Sequence, residues 1–451
     1  MEKTITDIIK HTGHLINLWL PLKIRYDKTP GLSVGIIYKG KLAYANSFGY
    51  ADLSKKKKVD EHTLYHIASI SKTFTSVAIM QLVDNGKLRL DDKVAEHIAW
   101  FKGKNKDKDS KNITIRQLLS HTAGLFRDGD TPHWATGKFP KDLQQSFSSS
   151  SLTLENATGF KYTNYGFSIL GLVIQKVSGL TYEEYVSEHI LKPLKMNSTA
   201  PDYSPSLKDV ATGYGREIPD EERKVFDHYK TNAYAPATGF LSNTIDLAKY
   251  LSALSLDSKK KLLSREAKKE MMRPHEKTEE DEEYGLGLDI FWINKKKIVG
   301  HDGGFNGFIT QVMLDPKSGI AVVVLTNSLA SSAGSIAKGI FEAIYNALDN
   351  TSKHKGKIPS YKKYEGVYRN VWGDTVLAQF GKDLLAFSPR AGLPLKFATI
   401  LKPQKNSHQF LMEEKSVFDA RDEIASFTDF KSGKAQKFLS GAMPSKRIKV
   451  K

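Results

Sequence analysis

Two strand-like runs, GLSVGIIY and KLAYANSF, flank Lys39-Gly40, a turn dipeptide, and their partial alternation of apolar and polar positions predicts a β-hairpin. From residue 71 to about 254 the apolar positions fall at helical spacing, broken by loops rich in Gly, Ser, Thr and Asp. Strand character returns in FITQVMLDPKSGIAVVVLTNS, a second hairpin turning at Asp315-Pro316-Lys317-Ser318-Gly319. A last helix follows in AGSIAKGIFEAIYNAL. Strands at both ends with helices between them predict an α+β domain: one antiparallel sheet flanked by helices, with an all-helical insertion beside it. The polar run DNTSKHKGKIPS changes the composition, which places a first domain at 1–350, a linker at 351–360 and a second domain at 361–451. Short runs such as YEGVYRN, DTVLAQFG, DLLAFSP and HQFLMEE, separated by turns, predict a small all-β barrel for the second domain.

At 451 residues and 40% hydrophobic, the chain buries a large core, and its length exceeds that of one domain. No run reaches the roughly 18 consecutive apolar residues that a membrane span needs, and LINLWLPL is far too short. The opening MEKTITDIIKHTGHL lacks the apolar centre of a signal peptide, so a cytoplasmic chain is expected. Without cysteine there is no disulfide, thiolate zinc site or cysteine nucleophile; a nucleophile must be an oxygen or an amine. His62 and His66 have helical spacing but no third ligand, so neither a metal nor any other cofactor is expected. The net charge of +17 raises a nucleic-acid reading. Its lysines come in turn-like tufts (SKKKKVD, FKGKNKDKDSKN, DSKKKLL, INKKKIV), the acidic EKTEEDEEY interrupts them, and no aromatic residues interleave as a stacking platform requires. The charge is therefore read as solvated turns with weak attraction to anionic surfaces, and no nucleic-acid partner is expected.

In YHIASISKTFTSVAIMQLV a lysine stands at the start of an apolar helix, where its charge is costly unless answered. Three residues earlier is Ser69, so the Ser69 hydroxyl and Lys72 amine share a helix face. The first turn supplies free N–H groups and the positive end of the helix dipole, which stabilise an oxyanion and, with burial, lower the lysine pKa toward that of a useful base. Ser-x-x-Lys alone is weak: it recurs at Ser54/Lys57, Ser258/Lys261 and Ser352/Lys355 in polar tufts. The plain alternative is an N-cap serine with a snorkelling lysine. A rival, Ser33 in GLSVG, has the spacing of a hydrolase elbow but is followed by strand rather than helix.

Two further segments complete a pattern: Tyr162-Thr163-Asn164 ahead of an apolar helix, and His301-Asp302-Gly303 in the glycine-dense VGHDGGFNGF, read as a strand start. With Ser69-Ile70-Ser71-Lys72 they stand in the order Ser-x-x-Lys, Tyr-x-Asn, His-x-Gly, and the chain resembles the serine β-lactamase and penicillin-binding-protein superfamily, in its class C-like CubicO branch. The connecting text ITIRQLLSHTAGL, APATGFLSNTIDLAKYL and YGLGLDI resembles that branch too, over about residues 25–348. The resemblance implies Ser69 as nucleophile, Lys72 and Tyr162 sharing the proton transfer, the N–H groups of Ser69 and Gly304 as oxyanion hole, and Asn164, His301, Asp302 and Gly303 as substrate-binding positions. Which of Lys72 and Tyr162 is the base stays open; the tyrosine would need nearby cations such as Lys72 or His301. Asp302 replaces a hydroxyl residue that helps receive a substrate carboxylate, which argues against a true β-lactamase and leaves open a preference for substrate amines, or an outward-turned side chain. The tail resembles the small lipocalin-like barrel appended to some of these proteins, as lid, oligomerisation element or appendage. The expected activity is acyl transfer on ester or amide bonds of small molecules or short peptides, as esterase, D-amino-acid peptidase or weak β-lactamase. A scaffold with a vestigial site is the alternative.

Overall fold

The computed structural model of the chain describes residues 2–102, 110–129, 131–146, 159–279, 281–353, 359–396, 398–413 and 421–449. The middle of the FKGKNKDKDSKN tuft, Glu280 of the acidic run and 354–358 of the expected linker lie outside them. By packing, the chain divides into Gly31–Leu329 and a second unit made of Met1–Pro30 with Ala330–Lys451.

Gly31–Leu329 is built on a nine-stranded antiparallel sheet. Its strands are β1 (Gly31–Tyr38), β2 (Lys41–Asp52), β3 (Lys57–Lys58), β4 (Glu276–Glu279), β5 (Glu282–Tyr284), β6 (Asp289–Ile293), β7 (Lys296–Phe305), β8 (Phe308–Leu314) and β9 (Ala321–Thr326), in the spatial order β3-β2-β1-β9-β8-β7-β6-β5-β4. Both expected hairpins are present, and β1 pairs with β9 from Leu32↔Thr326 to Ile37↔Ala321, so the two ends of the unit close the sheet. Lys39 and Gly40 both have positive φ (48° and 78°), the backbone a two-residue hairpin turn needs. Central β1 and β9 are buried along nearly their whole length, which explains why they read as continuous apolar runs.

The edge strand β4 and its neighbour β5 went unread because EKTEEDEEY is charged rather than apolar, as suits the exposed margin of a sheet. His301 lies in the second half of β7 rather than at a strand start, because β7 continues back through the charged KKIVG. The insertion is helical but not purely so: Tyr65–His66 pairs with Leu241–Ser242, and Gly213–Tyr214 with Val225–Phe226.

Among its helices, Ser71–Asp84 carries buried residues on every side, as a helix through the core must. Asn164–Ser178 starts at the N-cap Thr163, whose Oγ1 accepts from Gly166 N at 2.9 Å.

The second unit holds the helices Glu2–Tyr26 and Ala333–Lys353 and a closed eight-stranded barrel. The barrel strands are β10 (Gly366–Asn370), β11 (Gly373–Phe380), β12 (Asp383–Phe387), β13 (Thr399–Pro403), β14 (Gln409–Glu413), β15 (Ile424–Lys431), β16 (Lys434–Ser440) and β17 (Met443–Ile448), each paired with its sequence neighbour and β17 with β10. Tyr364, Tyr368, Phe410, Phe427 and Phe438 fill its interior. The helix Glu2–Tyr26 was not anticipated. It contains LINLWLPL, and its Trp19 is buried with Nε1 donating to Pro389 O at 3.2 Å.

Candidate active site

Ser69 sits in a short 3-10 turn, Ala68–Ile70, that runs directly into the helix Ser71–Asp84. The preceding Ala68 is held at φ +50°, a left-handed conformation that costs an alanine about 1 kcal/mol and persists only where surroundings enforce it. The enforcement is visible. Ile67 N donates to Phe240 O at 2.9 Å, Thr310 Oγ1 donates to Ile67 O at 3.1 Å, and Ser71 Oγ donates to Ala68 O at 2.5 Å. Gly303 on β7 completes the clamp: a Cβ there would lie 2.2 Å from Ile67 O, so only glycine lets β7 approach the Ser69 turn so closely. Gly304, the next residue, is exposed, with nothing nearer than 3.9 Å to an added Cβ.

Ser69 Oγ lies between two groups: Lys72 Nζ at 3.1 Å and Tyr162 OH, which donates to it, at 2.8 Å. Lys72 is fully buried and also donates to Asn164 Oδ1 at 2.6 Å and to Ala237 O at 2.9 Å. Burial above all, helped by Arg127, brings its pKa down to about 7 against the opposing pull of Asp128, Asp302 and Asp289. Tyr162 moves the other way. Burial raises its pKa far above the ordinary tyrosine value, outweighing the Ser69 hydrogen bond, so the phenol stays neutral.

Asn164, expected at the substrate, is engaged on both sides of its amide. Its oxygen holds Lys72, but its Nδ2 donates to Asp128 Oδ1 at 2.7 Å. Asp128, which the sequence reading missed, also accepts from Trp134 Nε1 at 2.9 Å, and Arg127 Nε is 3.3 Å from its other oxygen. Burial would raise its pKa, yet the hydrogen bonds from Trp134 and Asn164, with His133 Nε2 3.9 Å away and Arg127 beside it, outweigh that and leave it lowered. Its only sequence signal was an acid in the loop GLFRDGD just after the family-like ITIRQLLSHTAGL.

His301 is buried, and its hydrogen bonds run to Asp302 O (Nδ1, 2.6 Å) and Tyr284 OH (Nε2, 3.1 Å); its ring is 6.3 Å from that of Tyr162. Burial pulls its pKa down, but Asp289 and Asp302 together overcome this and leave it raised. It is thus tied to its own carboxylates rather than bonded to the phenol. Asp302, by contrast, has a side chain 71% exposed, on the same open face of β7 as Gly304. Asp289, His301 and Asp302 each bring a ligand atom within 4.8 Å of the others, the only such group of metal-ligand type among the described residues. Nδ1 of His301 already faces the Asp302 carbonyl, so the arrangement is that of a hydrogen-bonded charge cluster.

The rival residues fall elsewhere. Ser33 lies inside β1 and shares hydrogen bonds of 3.1 Å with Ser47 Oγ and Tyr65 OH, with no helix after it. His62 is exposed beside Glu61, while buried His66 meets His228 at 3.2 Å and stacks on Phe305, so the two histidines share no site.

An antiparallel sheet and a helical subdomain meet here around a serine, a lysine and a tyrosine joined at one oxygen, a β-lactamase-like arrangement. Residues 23–345 match the Beta-lactamase family model, and the chain belongs to that family. It is 31% identical over 304 residues to Protein flp of Staphylococcus aureus (strain MW2), covering 66% of this chain and 59% of that protein. It is 28% identical over 297 residues to Penicillin-binding protein 4* of Bacillus subtilis (strain 168), covering 61% and 63%. The chain therefore spans less than two thirds of the length of these curated relatives. The octameric penicillin-binding protein homologue from Pyrococcus abyssi is similar over 94% of this chain and 97% of its own, with TM-score 0.64 and 26% identity. Among the described residues no helix is long and apolar enough to cross a membrane.

Proposed function

We propose that this chain is a serine hydrolase that cleaves ester or amide bonds of small molecules or short peptides through an acyl-enzyme on Ser69. The observation that carries this is the placement of Ser69 Oγ between Lys72 Nζ and Tyr162 OH. With a pKa near 7, Lys72 is substantially neutral at physiological pH. Its two hydrogens then go to the fixed acceptors Asn164 Oδ1 and Ala237 O, which turns its lone pair toward Ser69 Oγ. Lys72 takes the serine proton as Oγ adds to the carbonyl carbon, and the N–H groups of Ser69 and Gly304 receive the oxyanion. The departing alcohol or amine takes a proton from Lys72 or from Tyr162, and water then attacks the ester, releases the acid and restores Ser69. This assigns the base to Lys72 and makes Tyr162 a neutral donor.

Among substrates, neutral esters and amides come first, D-amino-acid peptides next and β-lactams last, because exposed Asp302 repels a carboxylate beside the scissile bond. The Pyrococcus abyssi protein, octameric by its description and alike over a span that takes in the barrel, supports a homo-oligomer here. The deciding test is covalent labelling by a fluorophosphonate or a fluorescent penicillin. Wild type should be labelled and Ser69→Ala should not; equal labelling of the two would overturn the assignment.

A further inference from the structure

The hairpin between β10 and β11 turns on two residues, Val371 and Trp372, since Asn370 pairs directly with Gly373. Neither residue has a positive φ, so the turn's backbone leaves their identity free; Gly373, which follows at φ +137°, takes the conformation that favours glycine. These two are also the most exposed large apolar side chains among the described residues, at 87% and 84%. Two large apolar side chains exposed side by side at one tip mark a candidate contact surface, as a single exposed apolar residue would not.

The tip is rigid. Asn370 Oδ1 accepts from Trp372 N at 2.8 Å and from Gly373 N at 3.2 Å, and Asn370 Nδ2 donates to Ser445 Oγ on β17 at 3.2 Å. Behind it Arg369 forms two hydrogen bonds to Asp374, at 2.6 and 2.9 Å, and Tyr26 OH donates to the same carboxylate at 3.0 Å. These bonds fix the backbone of the turn, so the ordering left to lose on binding is that of the two side chains.

Charge around the tip is one-sided. Arg369 pairs across strands with Lys446, Arg390 lies 4.6 Å over the Tyr26 ring, and Arg25 is exposed beside it in sequence. The carboxylate in this group, Asp374, is buried and paired. The same imbalance holds for the whole unit of Met1–Pro30 and Ala330–Lys451: 26 Lys and Arg stand against 14 Asp and Glu, a net +12 of the chain's +17, whereas Gly31–Leu329 has 41 against 36.

We propose that the turn at Val371 and Trp372 is an insertion tip by which the barrel unit docks on an anionic lipid surface. The indole suits the boundary between headgroups and acyl chains, and the basic residues behind it meet acidic headgroups. Valine decides between lipid and nucleic acid: an aliphatic side chain gains from hydrocarbon and offers nothing to a phosphodiester chain.

The test mixes the full chain with sedimentable vesicles of phosphatidylcholine alone or with about a third phosphatidylglycerol. Wild type should pellet with the anionic vesicles and not the neutral ones, and added salt should release it. The double variant V371S/W372S should bind at least about tenfold more weakly, since both apolar groups lose their transfer gain. Both side chains being so exposed, its circular dichroism and melting temperature should match wild type. Equal binding of wild type and variant, failure of wild type to bind, or indifference to lipid charge would each overturn the proposal. So would a variant that keeps vesicle binding but loses an oligomer in size-exclusion chromatography, which makes the tip a contact between copies, or one that loses binding of a single-stranded oligonucleotide instead.

Discussion

His121 grips the segment around Tyr162 through the backbone N–H groups of both neighbouring residues, Lys161 and Thr163. Its carbonyl accepts from Lys161 N at 2.7 Å, its Nδ1 accepts from Thr163 N at 3.2 Å, and its ring lies against the phenol with centroids 4.3 Å apart. An Nδ1 that accepts from an amide belongs to a neutral imidazole, and burial together with nearby Lys72 pushes the His121 pKa well below its ordinary value. Its own backbone is at φ +59°, which turns the carbonyl and ring to the same neighbour.

If that grip sets the phenol's place, His121→Ala should lower kcat by about 10- to 100-fold with KM little changed, the scale expected for a small misplacement of a reacting group. His121→Asn, which tolerates the left-handed backbone and keeps an acceptor, should recover part of the loss. Steady-state kinetics on a neutral ester checks this. Loss of thermal stability in both variants at unchanged kcat would reduce His121 to a structural role.

The pH profile separates the two candidate bases. Lys72 must be neutral to accept the serine proton, so kcat/KM should rise with pH through about 7 and level off above it. Lys72→Arg, always charged, should abolish the reaction. Tyr162→Phe should lose roughly a hundredfold while keeping the same inflection. An inflection that vanishes in Tyr162→Phe would return the base role to the tyrosine.

Asp128 raises the Lys72 pKa against burial. Removing its charge in Asp128→Asn therefore favours the neutral lysine, and the inflection should move to lower pH. Orientation of Asn164 should suffer too, since Asn164 Nδ2 loses a carboxylate partner, so the plateau rate should fall. A profile shifted to higher pH would contradict this account of the charge.

The sheet ends, the barrel and the Ser69–Lys72 pair were legible because each rests on local pattern: turn dipeptides, apolar runs, and a motif whose spacing fixes a helix face; Tyr162, 93 residues from Ser69, came only from the family resemblance. What stayed hidden depends on folding at a distance. Asp128 reaches Asn164 across 36 residues, and Ala237 O reaches Lys72 across 165, with no feature of their own to announce it. The direction of Tyr162's pKa was likewise hidden, because it follows from burial, which a motif does not report. The segment at Val371 and Trp372 was read as a turn between YEGVYRN and DTVLAQFG; what stayed hidden was how fully its two apolar side chains stand in solvent, which depends on the packing around it.

Asp302 carries the last prediction, about substrate charge. Its carboxylate shares the open face of β7 with Gly304, two residues on, and is held near His301 Nδ1 at 3.5 Å. A substrate whose carbonyl sits at Gly304 N–H therefore meets this charge within about one strand repeat, roughly 7 Å. At an effective dielectric near 20 a charge pair at roughly 7 Å is worth about 2 kcal/mol, and exposure and salt reduce that to ~1 kcal/mol, or several-fold in rate. Asp302→Thr should raise kcat/KM several-fold for amides bearing a carboxylate beside the scissile bond, β-lactams included, and lower it for amine-bearing ones. A neutral short-chain ester should barely change. His301 loses one of the carboxylates that raise its pKa, so its protonation should also fall at a given pH. Measuring the three substrate charges on wild type and variant decides the matter: equal effects on all three would mean that Asp302 shapes the strand and does not select the substrate.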